Sequence, residues 1–299
     1  MLGVCFKKGV QFLLDFLPRN IVLDKIIYIL LGYIRDNSII KTRYGFLMHF
    51  KRNGERAVGI RKLVALGRFE SSDLAIIKKL LKPGDCVIDA GAHEGYVSLF
   101  IAGIVGNQGK IFSIEPNEEN LNYLRNNIAL NQFKNIEVIK KAVSDRAGTA
   151  TFYYSPNKGA WGSVINYSNF ATEKAIAVEL DTLDNISISY NVIDKISLCK
   201  LDIEGNELKA ILGAEKIILN TKPYFIFEVN LLLWAHLSDS IETMFNFLAG
   251  KGYKLFIAKN NKLEPYDYAA LNYVVLNIFA IHESRIEELF LKKIIGRKL

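Results

Sequence analysis

Cysteine is scarce: the 299-residue chain has three, Cys5, Cys86 and Cys199. They lie far apart and match neither a CxxC nor a Cys/His ligand spacing, which excludes a disulfide scaffold and a structural zinc site. They read as buried or free thiols of a reducing compartment, so the expected location is cytoplasmic. Long apolar runs are also missing. The stretch from Val10 to Ile34 is rich in Leu, Ile and Phe, yet Asp15, Arg19, Asn20, Asp24 and Lys25 interrupt it, and its longest unbroken piece is 26–34. That piece is too short to cross a bilayer, and no small-x-small cleavage site follows it to mark a secretory signal. No internal repeat or low-complexity tract is visible, and a composition of 50% hydrophobic and 23% charged residues excludes a disordered or fibrous chain.

The net charge of +7 is spread unevenly. Residues 1–67 hold twelve basic and four acidic groups, a net +8, and the remainder sums to about −1. The basic character therefore belongs to an N-terminal extension, residues 1–66, and not to the domain at 67–299. Pro18 divides the apolar part of this extension into one or two amphipathic helices. Packing on the body of the protein is the plainer expectation. Lys7, Lys8, Arg19, Lys25, Arg35, Lys41 and Arg43 beside Phe and Leu make peripheral contact with an anionic membrane the alternative.

From about residue 70, short apolar runs alternate with amphipathic stretches, the pattern of a parallel sheet with crossover helices. It predicts strands at 86–90, 110–115, 136–142, 196–202, 224–229, 253–257 and 273–280, and helices at 72–81, 96–105, 118–130, 207–219 and 241–248. Residues 147–180 break the repeat. Gly148, β-prone runs at 149–154 and 175–179 and a Ser/Asn/Gly-rich loop between them predict an inserted antiparallel hairpin. The last strand has no helix before it long enough for a parallel crossover, so it enters antiparallel. The expected fold is an α/β, doubly wound, Rossmann-like sheet, mostly parallel.

The turn after the first of these strands reads Asp89-Ala90-Gly91-Ala92-His93-Glu94-Gly95 and lies at the carboxyl edge, where doubly wound sheets bind ligands. Gly91 admits a ligand close to the backbone, and Gly95 lets the next helix begin tight against the strand. A dinucleotide site would show GxGxxG and aim a helix N-terminus at a pyrophosphate. Here the third glycine is missing, the spacing is GxxxG, and Asp89 stands two residues before the first glycine. That suits a ligand with a cationic amino acid moiety and no phosphate, as S-adenosylmethionine has; helix-to-strand packing is the other use of GxxxG. Glu115-Pro116 ends the next strand about twenty residues on, where a carboxylate accepts both hydroxyl protons of a ribose, of this ligand or of NAD. Alternation then puts Lys200, Asp202 and Glu204 on one side of the fourth core strand, with Asp202 at its carboxyl edge facing the same crevice. Asp202 is a candidate base or metal ligand, and a structural Lys200–Asp202 ion pair is the alternative. Glu228 and Asn230 end the following strand in the equivalent position.

In order and spacing, GRFE at 67–70, PGDCVIDAGAHEGYVSL at 83–99, FSIEPNEENLNYLRNNIALN at 112–131, AVSDRAG at 142–148, ELDTLD at 179–184 and LCKLDIEGNELKAILGA at 198–214 resemble the FkbM family of S-adenosylmethionine-dependent methyltransferases. That family usually has Asn where this chain has His93. The resemblance implies a class I methyltransferase fold and methyl transfer to oxygen, often a hydroxyl of a sugar or natural product. It implies that Gly91, Ala92 and Gly95 line the methionine and ribose region, that Glu115 holds the ribose diol, and that Ala142 and Val143 sit near the adenine. Asp89, His93 and Pro116 complete the expected cofactor set. A sugar hydroxyl is a poor acid, so a base is required, and Asp202, Glu204 and His93 are the candidates. Catechol-type O-methyltransferases use a divalent metal held by acids at the ends of the fourth and fifth strands, which Asp202, Glu228 and Asn230 would imitate; nothing in the sequence compels a metal, and none is expected. An RNA methyltransferase using the basic extension is the competing function. It is disfavoured because no RNA-binding module and no Asn/Asp-Pro-Pro-Tyr motif is visible. A non-catalytic protein retaining the fold would need a silent cofactor crevice. The expected partner is a small-molecule or glycan hydroxyl acceptor. The loop at 155–170, with Trp161, Tyr167 and Phe170 beside Asn157, Lys158 and Asn166, suits stacking on a sugar face or forms a structural lid.

Overall fold

The alternation of strand and helix is realised around a central eight-stranded sheet. The computed structural model describes residues 39–50, 70–155, 162–166, 174–235, 237, 241–266 and 275–296. In chain order the elements are β1 (Ile39–Lys41), β2 (Leu47–His49), α1 (Ser71–Leu80), β3 (Cys86–Ala90), α2 (Tyr96–Val105), β4 (Lys110–Ile114), α3 (Glu118–Leu130), β5 (Ile136–Ile139), β6 (Ala142–Val143), β7 (Gly148–Tyr154), β8 (Gly162–Ser163) and β9 (Lys174–Asp181). They continue with α4 (Leu183–Ser189), β10 (Ile196–Leu201), α5 (Glu207–Leu212), α6 (Glu215–Thr221), β11 (Tyr224–Asn230), α7 (Leu231–Trp234), α8 (Ile241–Gly250), β12 (Tyr253–Lys259), β13 (Lys262–Pro265), β14 (Val275–His282) and α9 (Ile286–Leu291).

The central order is β13-β12-β14-β11-β10-β3-β4-β5. Strands β5, β4, β3, β10 and β11 run parallel, and β14 lies antiparallel between β11 and β12, as the missing crossover requires. The chain leaves β3 toward β4 and returns on its other side as β10, so a topological switch point opens at the carboxyl ends of these two strands. Every residue of β3 is buried. Val87, Leu198 and Ile226 face one apolar cluster with α1, α2 and α3, while Ile88, Cys199 and Phe227 face a second with α4, α5, α6 and α8. Covering both faces explains why these strands read as continuous apolar runs.

Local signals set the helix boundaries. Asn117 caps α3 by accepting from the Glu119 amide at 2.9 Å, and Thr182 caps α4 by accepting from Asn185 at 3.0 Å. The helix expected at 207–219 is instead two, α5 and α6. A side chain at Gly213 would stand 2.3 Å from the Ser144 carbonyl oxygen, so the chain turns there against the neighbouring loop. The strand expected at 136–142 also divides. Its last residue joins a second sheet, order β6-β9-β7-β8, in which β7 and β9 form the expected antiparallel hairpin and β6 adds in parallel to β9.

The N-terminal extension was expected to be helical; residues 10–34, where one or two helices are expected, lie outside the described residues, but 39–50 form a hairpin, β1 with β2, packed on the domain. Asn131 explains why. Its Oδ1 accepts from the Leu47 amide and its Nδ2 donates to the Leu47 carbonyl, both at 2.7 Å. Asn127 does the same for His49 at 2.7 and 3.0 Å, and also donates to the Glu94 carbonyl at 2.9 Å. Two asparagines of α3 thus stand in for a third strand, and Met48 and Phe46 enter the core beneath. The division at 66/67 consequently leaves part of the folded core on its N-terminal side. Asn127→Ala strips three backbone groups of their partners, so it is expected to lower stability by about 1–3 kcal/mol; an unchanged urea midpoint would show that the hairpin is held some other way. Among the described residues no helix is long and apolar enough to cross a membrane.

Candidate active site

The glycine turn is clamped at the end of β3. The amides of Gly91 and Ala92 both donate to the Ile114 carbonyl, at 2.9 and 3.1 Å, and the Asp202 amide donates to the Ala90 carbonyl at 3.0 Å. Gly91 has φ +79°, and a side chain there would lie 1.9 Å from the Asp202 carbonyl oxygen. Gly91 thus has a second reason to be glycine beside the approach of a ligand: the bare backbone lets the chain leaving β10 pass. At Gly95, φ +93°, a side chain would stand 2.5 Å from Leu124 and 2.8 Å from Leu99, so the glycine admits α3 and the first turn of α2 rather than the strand.

Beside this turn lies an open pocket with about 680 Å³ of atom-free space, the solvent at its mouth included. Gly91, His93, Glu115, Pro116, Ala142, Val143, Asp202 and Glu204 line it, which brings together most of the expected site. Asp89, Ala92 and Gly95 do not line it. Asp89 is buried behind the turn, where its Oδ2 accepts from Ser98 Oγ at 2.5 Å and Ser98 in turn accepts from Ser113 at 2.7 Å. Burial pushes the Asp89 carboxyl up, against the opposing pull of Lys200 and Ser98.

Glu115 is 4% exposed. Its Oε1 accepts from the Asn117 amide at 2.9 Å and from Asn120 Nδ2 at 3.2 Å, and its Oε2 accepts from the His93 amide at 3.0 Å. Burial raises its pKa to about 7, although all three donors oppose the rise. Three donors fill three of the roughly four acceptor sites of a carboxylate, leaving one on Oε2.

The far wall carries the acids. Lys200 is 4% exposed, and its Nζ lies 3.0 Å from Asp202 Oδ2, so the ion pair is present. Burial works against the ammonium charge, but Asp202, Glu70 and Asp89 more than offset it and hold Lys200 protonated. Strand β10 ends at Leu201, and Glu204 takes φ +54°, so simple alternation does not extend to Glu204. A turn restores the grouping: carboxylate oxygens of Asp202, Glu204 and Glu228 all lie within 4.8 Å of one another. Glu228 is raised to about 8 by burial and by the charges of Asp202 and Glu207. Glu207 shapes the turn, its Oε1 accepting from the amides of Ile203 at 3.0 Å and Gly205 at 3.3 Å. It is more than the ordinary first-turn acid that its place in α5 suggests.

The sequence profile of the methyltransferase FkbM domain matches residues 89–255, more than half of the chain. The chain belongs to the FkbM methyltransferase family. Among solved structures it is similar to an FkbM methyltransferase of Methylobacillus flagellatus KT, with 15% identity and a TM-score of 0.44 over 78% of this chain and 56% of that one. It is also similar to a SAM-dependent O-methyltransferase of Thermotoga maritima, with 17% identity and a TM-score of 0.38 over 72% and 64%. A third is the fibrillarin of Aeropyrum pernix in complex with natively bound S-adenosyl-L-methionine, with 13% identity and a TM-score of 0.40 over 70% and 73%. The chain thus spans little more than half the length of the Methylobacillus protein. A search of curated proteins gave no match.

The strand order, with β14 antiparallel between β11 and β12, is the class I methyltransferase fold that the resemblance implies. Several lining residues of the FkbM domain escaped the sequence reading. Phe152 and Val164 come from the inserted sheet, and Asn206 ties two walls together by donating to the Val143 carbonyl at 2.6 Å. The phenylalanine belonged to a run legible only as a strand, and no spacing links Asn206 to Val143. Of the acceptor loop, Trp161, Tyr167, Phe170, Asn157 and Lys158 lie outside the described residues, and Asn166 is exposed.

Proposed function

We propose that this FkbM methyltransferase moves a methyl group from S-adenosylmethionine to a hydroxyl oxygen of a sugar, glycan or natural product. S-adenosylmethionine is the cofactor of the family, and the pocket suits it: Glu115 offers a buried acceptor for a ribose hydroxyl, and Ala142, Val143, Phe152 and Val164 make an apolar slot for a base. When bound, the cofactor supplies a methyl group already activated by a sulfonium. The chain's own residues must align the acceptor oxygen and take its proton. Asp202 is the proposed base, oriented by Lys200, and Glu204 and His93 line the same pocket as alternatives. The observation that carries this reading is the meeting of Asp202 and Glu115 in one pocket. The buried thiols of Cys86 and Cys199 favour a reducing, cytoplasmic setting.

Incubation with labelled S-adenosylmethionine and fractionated glycans is expected to label a hydroxyl. Labelling of RNA alone would sink the O-directed proposal. Calorimetry tests the cofactor site separately. Glu115→Ala is expected to weaken binding by about 1–3 kcal/mol through loss of a charged hydrogen bond, and absence of any affinity in the unmodified protein would end the methyltransferase reading.

A further inference from the structure

We propose that Asp202, Glu204 and Glu228 hold one divalent cation of the hard, oxygen-seeking kind, Mg²⁺ or Mn²⁺, at the acceptor side of the cofactor pocket. The parallel register of Leu201 with Phe227 sets Asp202 level with Glu228 on adjacent strands, and the turn after β10 brings in Glu204. Ligands on opposite sides of Mg²⁺ are separated by about 4.0–4.2 Å, so oxygens that already lie within 4.8 Å of one another need to shift by only a few tenths of an ångström to close on the ion. Lys200 engages Asp202 through Oδ2, which leaves Oδ1 for the ion.

Two buried polar atoms point to a missing ligand independently of this clustering. Asn230 follows Glu228 by two residues, hence on the same face of β11, and is 5% exposed, with no partner for Oδ1 among the described residues. Glu207 is 1% exposed; its Oε1 is held by the turn that carries Asp202 and Glu204, and its Oε2 has no partner among the described residues. Buried oxygens are normally satisfied, so each asks for a donor, an ordered water or a cation. Charge asks for the same thing. Among the described residues, Lys200 is the buried cation that Glu70, Asp89, Asp202 and Glu228 share. An ion there would lower the pKa of a hydroxyl bound to it, a benefit to an acceptor as weakly acidic as a sugar. That consequence rests on the proposed methyl transfer; the binding of the ion does not.

Mn²⁺ titrated into the full chain, with unbound Mn²⁺ followed by electron paramagnetic resonance, tests the site. One Mn²⁺ should bind per chain and be displaced by Mg²⁺. Glu228→Gln and Glu204→Gln should each weaken Mn²⁺ by at least about tenfold, or about 1.4 kcal/mol. No binding at millimolar Mn²⁺, or affinity unchanged in both variants, overturns the proposal. Calorimetry of S-adenosylmethionine in the presence of chelator is run beside it. Cofactor affinity without Mn²⁺ binding removes the metal and keeps the methyltransferase, and Mn²⁺ binding without cofactor affinity does the reverse.

Discussion

Asp202→Asn is expected to lower turnover by about 100- to 10,000-fold, the usual contribution of a general base, while S-adenosylmethionine affinity changes little. Asparagine keeps the size and polarity of the side chain and removes its capacity to take a proton. The local fold should tolerate the change, because the Lys200 ammonium remains faced by Glu70 and Asp89. Single-turnover rates and calorimetry on the same preparation separate the two effects. Turnover preserved in Asp202→Asn with a chelator present excludes Asp202 as base and shows that turnover needs no ion, and it moves the search to Glu204 or His93. Loss of cofactor affinity in step with rate would assign Asp202 to binding instead.

Gly91→Val should cost the protein its fold before it costs the ligand. The added Cβ would meet the Asp202 carbonyl at 1.9 Å, an atom of backbone held by the hydrogen bond from the Asp202 amide to Ala90, so it cannot swing aside. Valine is also strained at φ +79°. Strain and overpacking together are worth about 2–6 kcal/mol, a large part of the 5–15 kcal/mol that keeps a typical domain folded (roughly). Denaturant unfolding should show a much lower midpoint, with Gly91→Ala between valine and glycine. A valine variant with an unchanged midpoint but no cofactor affinity would return Gly91 to the role of making room for the ligand.

Strands buried on both faces were the easiest part of the fold to read. CVIDA at 86–90 is a strand over those residues, because an unbroken apolar run bounded by a Pro-Gly turn and a Gly turn has few other uses. Features set by one distant contact were not readable. Gly213, between the two helices of 207–219, carries no side chain because Ser144 lies against it, and the outer edge of 47–49 is held by two asparagines far along the chain. The pocket was legible where a motif sits at a strand end, as at Glu115 and Asp202. At Glu204 the expected grouping holds by another route: the residue joins the acids through a left-handed turn and not through strand alternation. The meeting of the three carboxylates on which the proposed cation rests was likewise not given by spacing alone.

The asparagine strap on the hairpin has a consequence for the order in which the chain becomes fixed. Leu47 and His49 find their partners 84 and 78 positions later. During synthesis the first-made described residues stay unanchored until α3 has left the ribosome, and Met48 reaches its seat only then. A chain started at residue 67 would lack that plug. Asn127 and Asn131 would turn their amides to water, and the apolar floor of Phe100 and Tyr96, against which Tyr44 and Phe46 now lie, would be left uncovered. The contacts that fix the core thus reach back at least to residue 40.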